Sequence, residues 1–157
     1  MMRAVFASLN EQLFTLNVQC LADIADRVGE PQIDALTSTD GKFDFWMTPL
    51  MRGVDQQPNR AATELLLAVS AFSAPEVPLL RGYVVVASHD DAGELAGLTD
   101  EQISRLTRVF NRPSWRDEWV LDRRFARARR ALQRRWKAEE ATAARARWDA
   151  LFRWDFT

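Results

Sequence analysis

An α+β fold is expected for this chain of 157 residues from three features. The run "LRGYVVVAS" at 80–88 is continuous, β-branched and strand-like. The turn Thr39-Asp40-Gly41 sits between two alternating segments, which is a hairpin pattern because Asp-Gly tolerates positive φ. From Thr99 onward the apolar residues recur at helical spacing.

The elements follow in order. Residues 2–9, "MRAVFASL", read as a short apolar strand. Asn10 is a helix N-cap residue type, and Leu13, Leu16, Cys20, Ile24 and Val28 then recur at helical spacing, so a helix is expected over 10–28. Gly29 and Pro31 stop it. A single helix from residue 2 is the competing reading, because Phe6 and Leu9 extend the same stripe. On that stripe Cys20 would be an inert core residue. The hairpin pairs 32–38 with 42–48 and ends at Pro49. Residues 59–73 form a helix with Ala62, Leu65, Leu66, Val69 and Phe72 inward, closed by Pro75 and Pro78. With the strand at 80–88 the order is β-α-β-β-α-β, the split βαβ or ferredoxin-like arrangement. A mainly α bundle is the alternative.

The remainder is helical. Thr99 with Gln102 is a capping box that opens a helix over 99–111, with Ile103, Leu106 and Phe110 inward. Pro113 breaks it. Ser114 can cap a helix over about 114–138, with a further helical stretch to about 154. The expected organisation is a core over 1–90 with a helical extension over 91–157 packed on it as one compact domain.

Charge is distributed unevenly. Residues 1–100 carry 6 basic and 14 acidic side chains, a net of −8, whereas residues 101–157 carry 15 and 8, a net of +7. Such asymmetry is a mark of an interaction surface or of two halves that dock on each other. Arginine outnumbers lysine 19 to 2, which fits a GC-rich, bacterial-type genome and weakens arginine content alone as a sign of nucleic-acid binding. The single cysteine forms no internal disulfide, and no leader or long apolar run is seen. A reducing cytoplasm, no membrane partner and no cofactor are expected.

The stretch "RRFARARRALQRRWK", 123–137, carries the densest charge. On a helix, Leu121, Phe125, Ala128, Leu132 and Trp136 share one face. Arg123, Arg127, Arg130, Arg134 and Lys137 fall almost opposite, within an arc of about 80° at about 100° per residue. This ridge suits bidentate pairing with carboxylates, and it could also track phosphates. A charge run opposite an apolar stripe is also what a plain solvated helix face looks like.

Five of the six tryptophans, Trp115, Trp119, Trp136, Trp148 and Trp154, lie in the last 43 residues. They are expected to cover the open face of a ferredoxin-like sheet. The alternative is an exposed patch made by Trp148, Phe152, Trp154 and Phe156.

Two further places hold chemistry-bearing residues. "SHDD" at 88–91 follows a strand, so His89, Asp90 and Asp91 are metal-ligand candidates, with Asp40 or Asp44 from the hairpin. A polar turn capped by Asp90 or Asp91 explains the same residues without a metal. Phe43 and Phe45 have the two-apart spacing of a base-stacking pair, but Asp44 lies between them and core packing accounts for both. No P-loop, GxGxxG, HExxH or GxSxG is present. The resulting expectation is a non-catalytic adaptor, inhibitor or regulator. Its protein partner would meet Arg123, Arg127, Arg130, Arg134 and Lys137, with Trp136 and Trp148 as apolar anchors. Nucleic-acid binding through the same ridge, a metal-dependent enzyme at 88–91 and homo-oligomerisation are the other readings.

Overall fold

The computed structural model describes residues 1–110 and 114–153. The fold is α+β. Strands β1 (Met2–Ala7) and β2 (Leu13–Val18) form a hairpin and are followed by helix α1 (Leu21–Val28). Strands β3 (Asp34–Thr37) and β4 (Asp44–Met47) form a second hairpin, followed by helix α2 (Arg60–Val69). Strand β5 (Val84–His89) and the short β6 (Leu95–Ala96) lead to helices α3 (Asp100–Phe110) and α4 (Trp115–Phe152). Five strands lie in the order β2-β1-β5-β4-β3 and β6 pairs with the end of β5, all antiparallel.

This order is not the ferredoxin-like one. β5 occupies the centre, with Val86 opposite Val5 of β1 on one side and Phe45 of β4 on the other. The reason is its apolarity on both faces: Val84, Val85, Val86 and Ala87 have no exposed surface, and a strand of that kind is best buried mid-sheet. The expected helix over 10–28 is also corrected. Its first half is β2, paired residue for residue from Met2↔Val18 to Ala7↔Leu13. Asn10 and Glu11 belong to the connecting turn. Glu11 adopts φ 65°, and the Ser8 hydroxyl donates to the Gln12 carbonyl at 3.1 Å. Cys20 is exposed and stands at the N-cap of α1, so it is not a core residue.

Alternation along the strands sends side chains to two cores. Val5, Phe45, Val84 and Val86 pack with Leu65, Leu66, Leu106, Leu121 and Phe125, which puts α2, α3 and the first half of α4 on one face. Ala4, Val85 and Ala87 pack with Val18, Ile24 and Val28, which puts α1 on the other. Trp115, Trp119 and Trp148 therefore do not cover an open sheet face, and Trp154 lies outside the described residues. Trp119 precedes the buried Leu121 by two residues, about 200° around a helix, so it must point outward. Trp115, Trp119 and Trp148 are 73%, 57% and 60% exposed.

Other local signals appear as read. Asn59 caps α2, accepting from the Ala62 N–H at 3.0 Å, and its amide donates to the carbonyls of Ala7 (2.9 Å) and Gly82 (2.7 Å). The capping box closes both ways, with Thr99 N–H on Gln102 Oε1 at 2.9 Å and Gln102 N–H on Thr99 Oγ1 at 3.1 Å. Gly41 takes φ 71° in the β3–β4 turn. Phe72 lies past the end of α2 and is 40% exposed, not inward. The two expected C-terminal helical stretches are one continuous helix. The Pro113 break and the Trp154 and Phe156 part of the aromatic patch lie outside the described residues.

Candidate functional site

Helix α4 has two roles for its arginines, set by angle around the rod. Leu121, Phe125 and Leu132 are buried. Arginines flanking that stripe turn toward the body. Arg124 Nη1 donates to the carbonyls of Ala74 (2.7 Å) and Val77 (2.8 Å), closing two acceptors of the 74–77 turn. Arg135 Nη1 donates to Gln56 Oε1 at 3.2 Å, and Arg129 lies 3.9 Å from Glu11. Arg60 of α2 joins Glu64 at 2.8 Å and also pairs with Asp122 of α4.

The opposite face is different. Arg123, Arg127, Arg130, Arg134 and Lys137 are all exposed, and none of them forms an ion pair or side-chain hydrogen bond among the described residues. Arg123 lies over the Trp119 ring at 4.8 Å from its centroid. Trp136 is half-buried and lines a small cavity with Leu9, Pro58, Leu132 and Gln133, so its ring serves the contact between α4 and the body. Trp148 stands free of the core and stacks on Phe152, centroids 5.5 Å apart. Leu151 and Phe152 are 67% and 56% exposed, and Leu151 was not singled out by sequence reasoning. Its signal is the apolar spacing Ala144, Trp148, Leu151 in the last turns.

The second chemistry-bearing place is a cleft of about 770 Å³ lined by Lys42, His89, Asp90, Asp91, Gln102 and Arg105 among others. His89 Nδ1 lies 2.7 Å from Asp44 Oδ2, and the Thr37 hydroxyl donates to Asp44 Oδ1 at 2.7 Å. A carboxylate at Nδ1 keeps a proton there and leaves Nε2 as the acceptor in the neutral ring. Asp90 is committed elsewhere: its Oδ1 accepts from the N–H groups of Ala92 (3.0 Å) and Glu94 (2.9 Å) in the β5–β6 turn. The metal-ligand candidates His89, Asp90 and Asp91 therefore do not converge, and among the described residues no cluster of three or more His, Cys, Asp or Glu is arranged to hold a metal. The Ser88 hydroxyl also lines this cleft but donates to the Lys42 carbonyl at 2.9 Å, and among the described residues it makes no hydrogen bond to His89. Phe43 and Phe45 are fully buried, which removes them as a base-stacking pair.

Among the described residues no helix is long and apolar enough to cross a membrane. No protein-family model, curated protein or solved structure matches this chain.

Proposed function

We propose that the protein is a non-catalytic binding protein, an adaptor, inhibitor or regulator, that engages an acidic surface of a protein partner through the outward face of α4. The observation that carries this reading is the division of the arginines. Arg124, Arg129 and Arg135 have partners in the chain itself, whereas Arg123, Arg127, Arg130, Arg134 and Lys137 have none among the described residues. Five adjacent cations held on a rigid helix repel one another, and a partner's carboxylates would relieve that repulsion. Guanidinium forks give such pairing direction as well as charge. Trp148, already stacked on Phe152, supplies an amphipathic anchor of the kind that dominates interface energetics. A reducing cytoplasm suits the exposed Cys20 thiol.

Protein is favoured over nucleic acid because the first hundred residues carry a net charge of −8 and would oppose a polyanion's field. The test is capture from native lysate on the immobilised chain, with and without nuclease, beside the double variant Arg127→Glu/Arg130→Glu. Nuclease-resistant capture that the variant loses, at unchanged melting temperature, supports the reading. Capture that the variant retains ends it, and capture abolished by nuclease transfers the ridge to nucleic acid.

A further inference from the structure

The outward face of α4 has a regularity that a merely solvated face does not need. Residues Arg123, Arg127, Arg130, Arg134, Lys137, Ala141, Ala144, Trp148 and Leu151 follow one another at alternating steps of four and three. That is a repeat of 3.5, the period that keeps a seam facing a second helix along a left-handed supercoil. The first five positions are cationic and the last four apolar. All are exposed except Ala144, which is half-buried. The seam spans roughly 42 Å at 1.5 Å per residue. Its second half lies on residues 137–152, where no side chain is buried and a second helix can approach unhindered.

We infer that this seam is a docking strip for one helix of a partner protein, carrying acidic residues along the half that meets 123–137 and apolar residues along the half that meets 141–151. The inference rests on the binding reading above and names the partner's form. Charge selects this occupant over a second copy of the chain. A parallel pair of α4 helices would set cation against cation in five successive layers. An antiparallel pair centred on Lys137 would set Arg123 against Leu151, Arg127 against Trp148 and Arg130 against Ala144, so that in these three layers the seam position opposite each cation is apolar rather than a carboxylate. Charge and shape also select it over duplex nucleic acid, whose phosphates would meet the cationic half and have no use for the apolar half. A helix with acids and then apolar groups at 3.5 spacing answers both halves at once.

The experiment uses the full chain and labelled synthetic peptides of about 30 residues, read by fluorescence anisotropy and circular dichroism. Two peptides carry glutamates over one half of a 3.5-spaced seam and leucines over the other, with the acidic half first in one and last in the other, which covers both helix polarities. A third has the same composition with the spacing broken, and polyglutamate and a DNA oligonucleotide complete the set. At least tenfold tighter binding of one seam-matched peptide than of the broken one, with a gain in helicity, is the expected result. Trp148→Ala and Arg130→Glu each weaken it about tenfold. Equal binding of the broken peptide and polyglutamate overturns the helical partner while leaving the acidic-surface reading intact. No binding by any peptide also overturns it, with the lysate capture judging the broader reading separately. Tighter binding of the oligonucleotide than of every peptide overturns both. A self-association of the chain that Trp148→Ala abolishes assigns the strip to a second copy and overturns the inference.

Discussion

The two halves of α4 are helical for different reasons. The first half, through Trp136, is held by tertiary contact, because Leu121, Phe125 and Leu132 sink into the core and Arg124 ties down the 74–77 turn. The second half, residues 137–152, has no fully buried side chain, and its helix rests on intrinsic propensity. Ala138, Ala141, Ala143, Ala144, Ala146 and Ala150 lose no side-chain entropy on becoming helical. Nucleation is the costly step in helix formation, and the docked half supplies it, so the free half only has to propagate. One continuous rod thus has a packed end that belongs to the fold and a free end whose apolar groups join neither core among the described residues.

Breaking the docked half has the largest effect. Phe125→Ala empties a fully buried site and is expected to destabilise the protein by about 3–5 kcal/mol, whereas Trp148→Ala leaves denaturant midpoints unchanged. Urea titrations of the two variants side by side check this, and a comparable loss in Trp148→Ala contradicts the free status of the second half. Next in size is the contrast between the two arginine classes. Arg124→Ala strips the Ala74 and Val77 carbonyls of their donor and is expected to cost about 1–3 kcal/mol, while Arg127→Ala stays within about 0.5 kcal/mol of the parent. Thermal melts distinguish them.

A smaller and local effect is expected from Ala143→Gly, which weakens helix propensity by about 1 kcal/mol. Amide exchange over 137–152 should quicken, with protection over 121–132 unchanged. Uniform protection along α4 would mean that the two halves open together.

The smallest effect is a pH dependence at the α2–α4 contact. Burial raises the Glu64 carboxyl above its ordinary value, and Arg60 offsets part of that shift. A raised carboxyl makes the folded state bind a proton more readily than the unfolded one, so its contribution to stability is present below the unfolded value and lost as pH rises through the folded one. As pH rises above the ordinary glutamate value, Glu64→Gln is therefore expected to remove a small decline in melting temperature. An unchanged slope in the variant places the titration elsewhere.

Much of the local structure was legible because its determinants are neighbours in sequence. The Thr99–Gln102 capping box, the Asn59 cap and the Asp40-Gly41 turn each act within a few residues. The first helix misled for the opposite reason. Leu13, Leu16, Ile24 and Val28 mimic a helical stripe across a strand and a helix, and the two separate only because β2 finds β1 to pair with. The charged ridge was legible from spacing, and the strand-end and hairpin positions suggested that His89 could meet Asp40 or Asp44, but only the pairing of β4 with β5 selects Asp44, 45 residues away, as the hydrogen-bond partner.

The amino-acid order alone determined that the C-terminal third would form an amphipathic rod with its cations opposite its core stripe, because helical periodicity depends only on steps of three and four. Only the folded chain decided which arginines were consumed internally, since the carbonyls of Ala74 and Val77, the amide of Gln56 and the carboxylate of Glu11 reach α4 through long-range packing. The same packing decided which strand took the centre of the sheet, because hydrogen bonding between strands rewards partners that are distant in sequence.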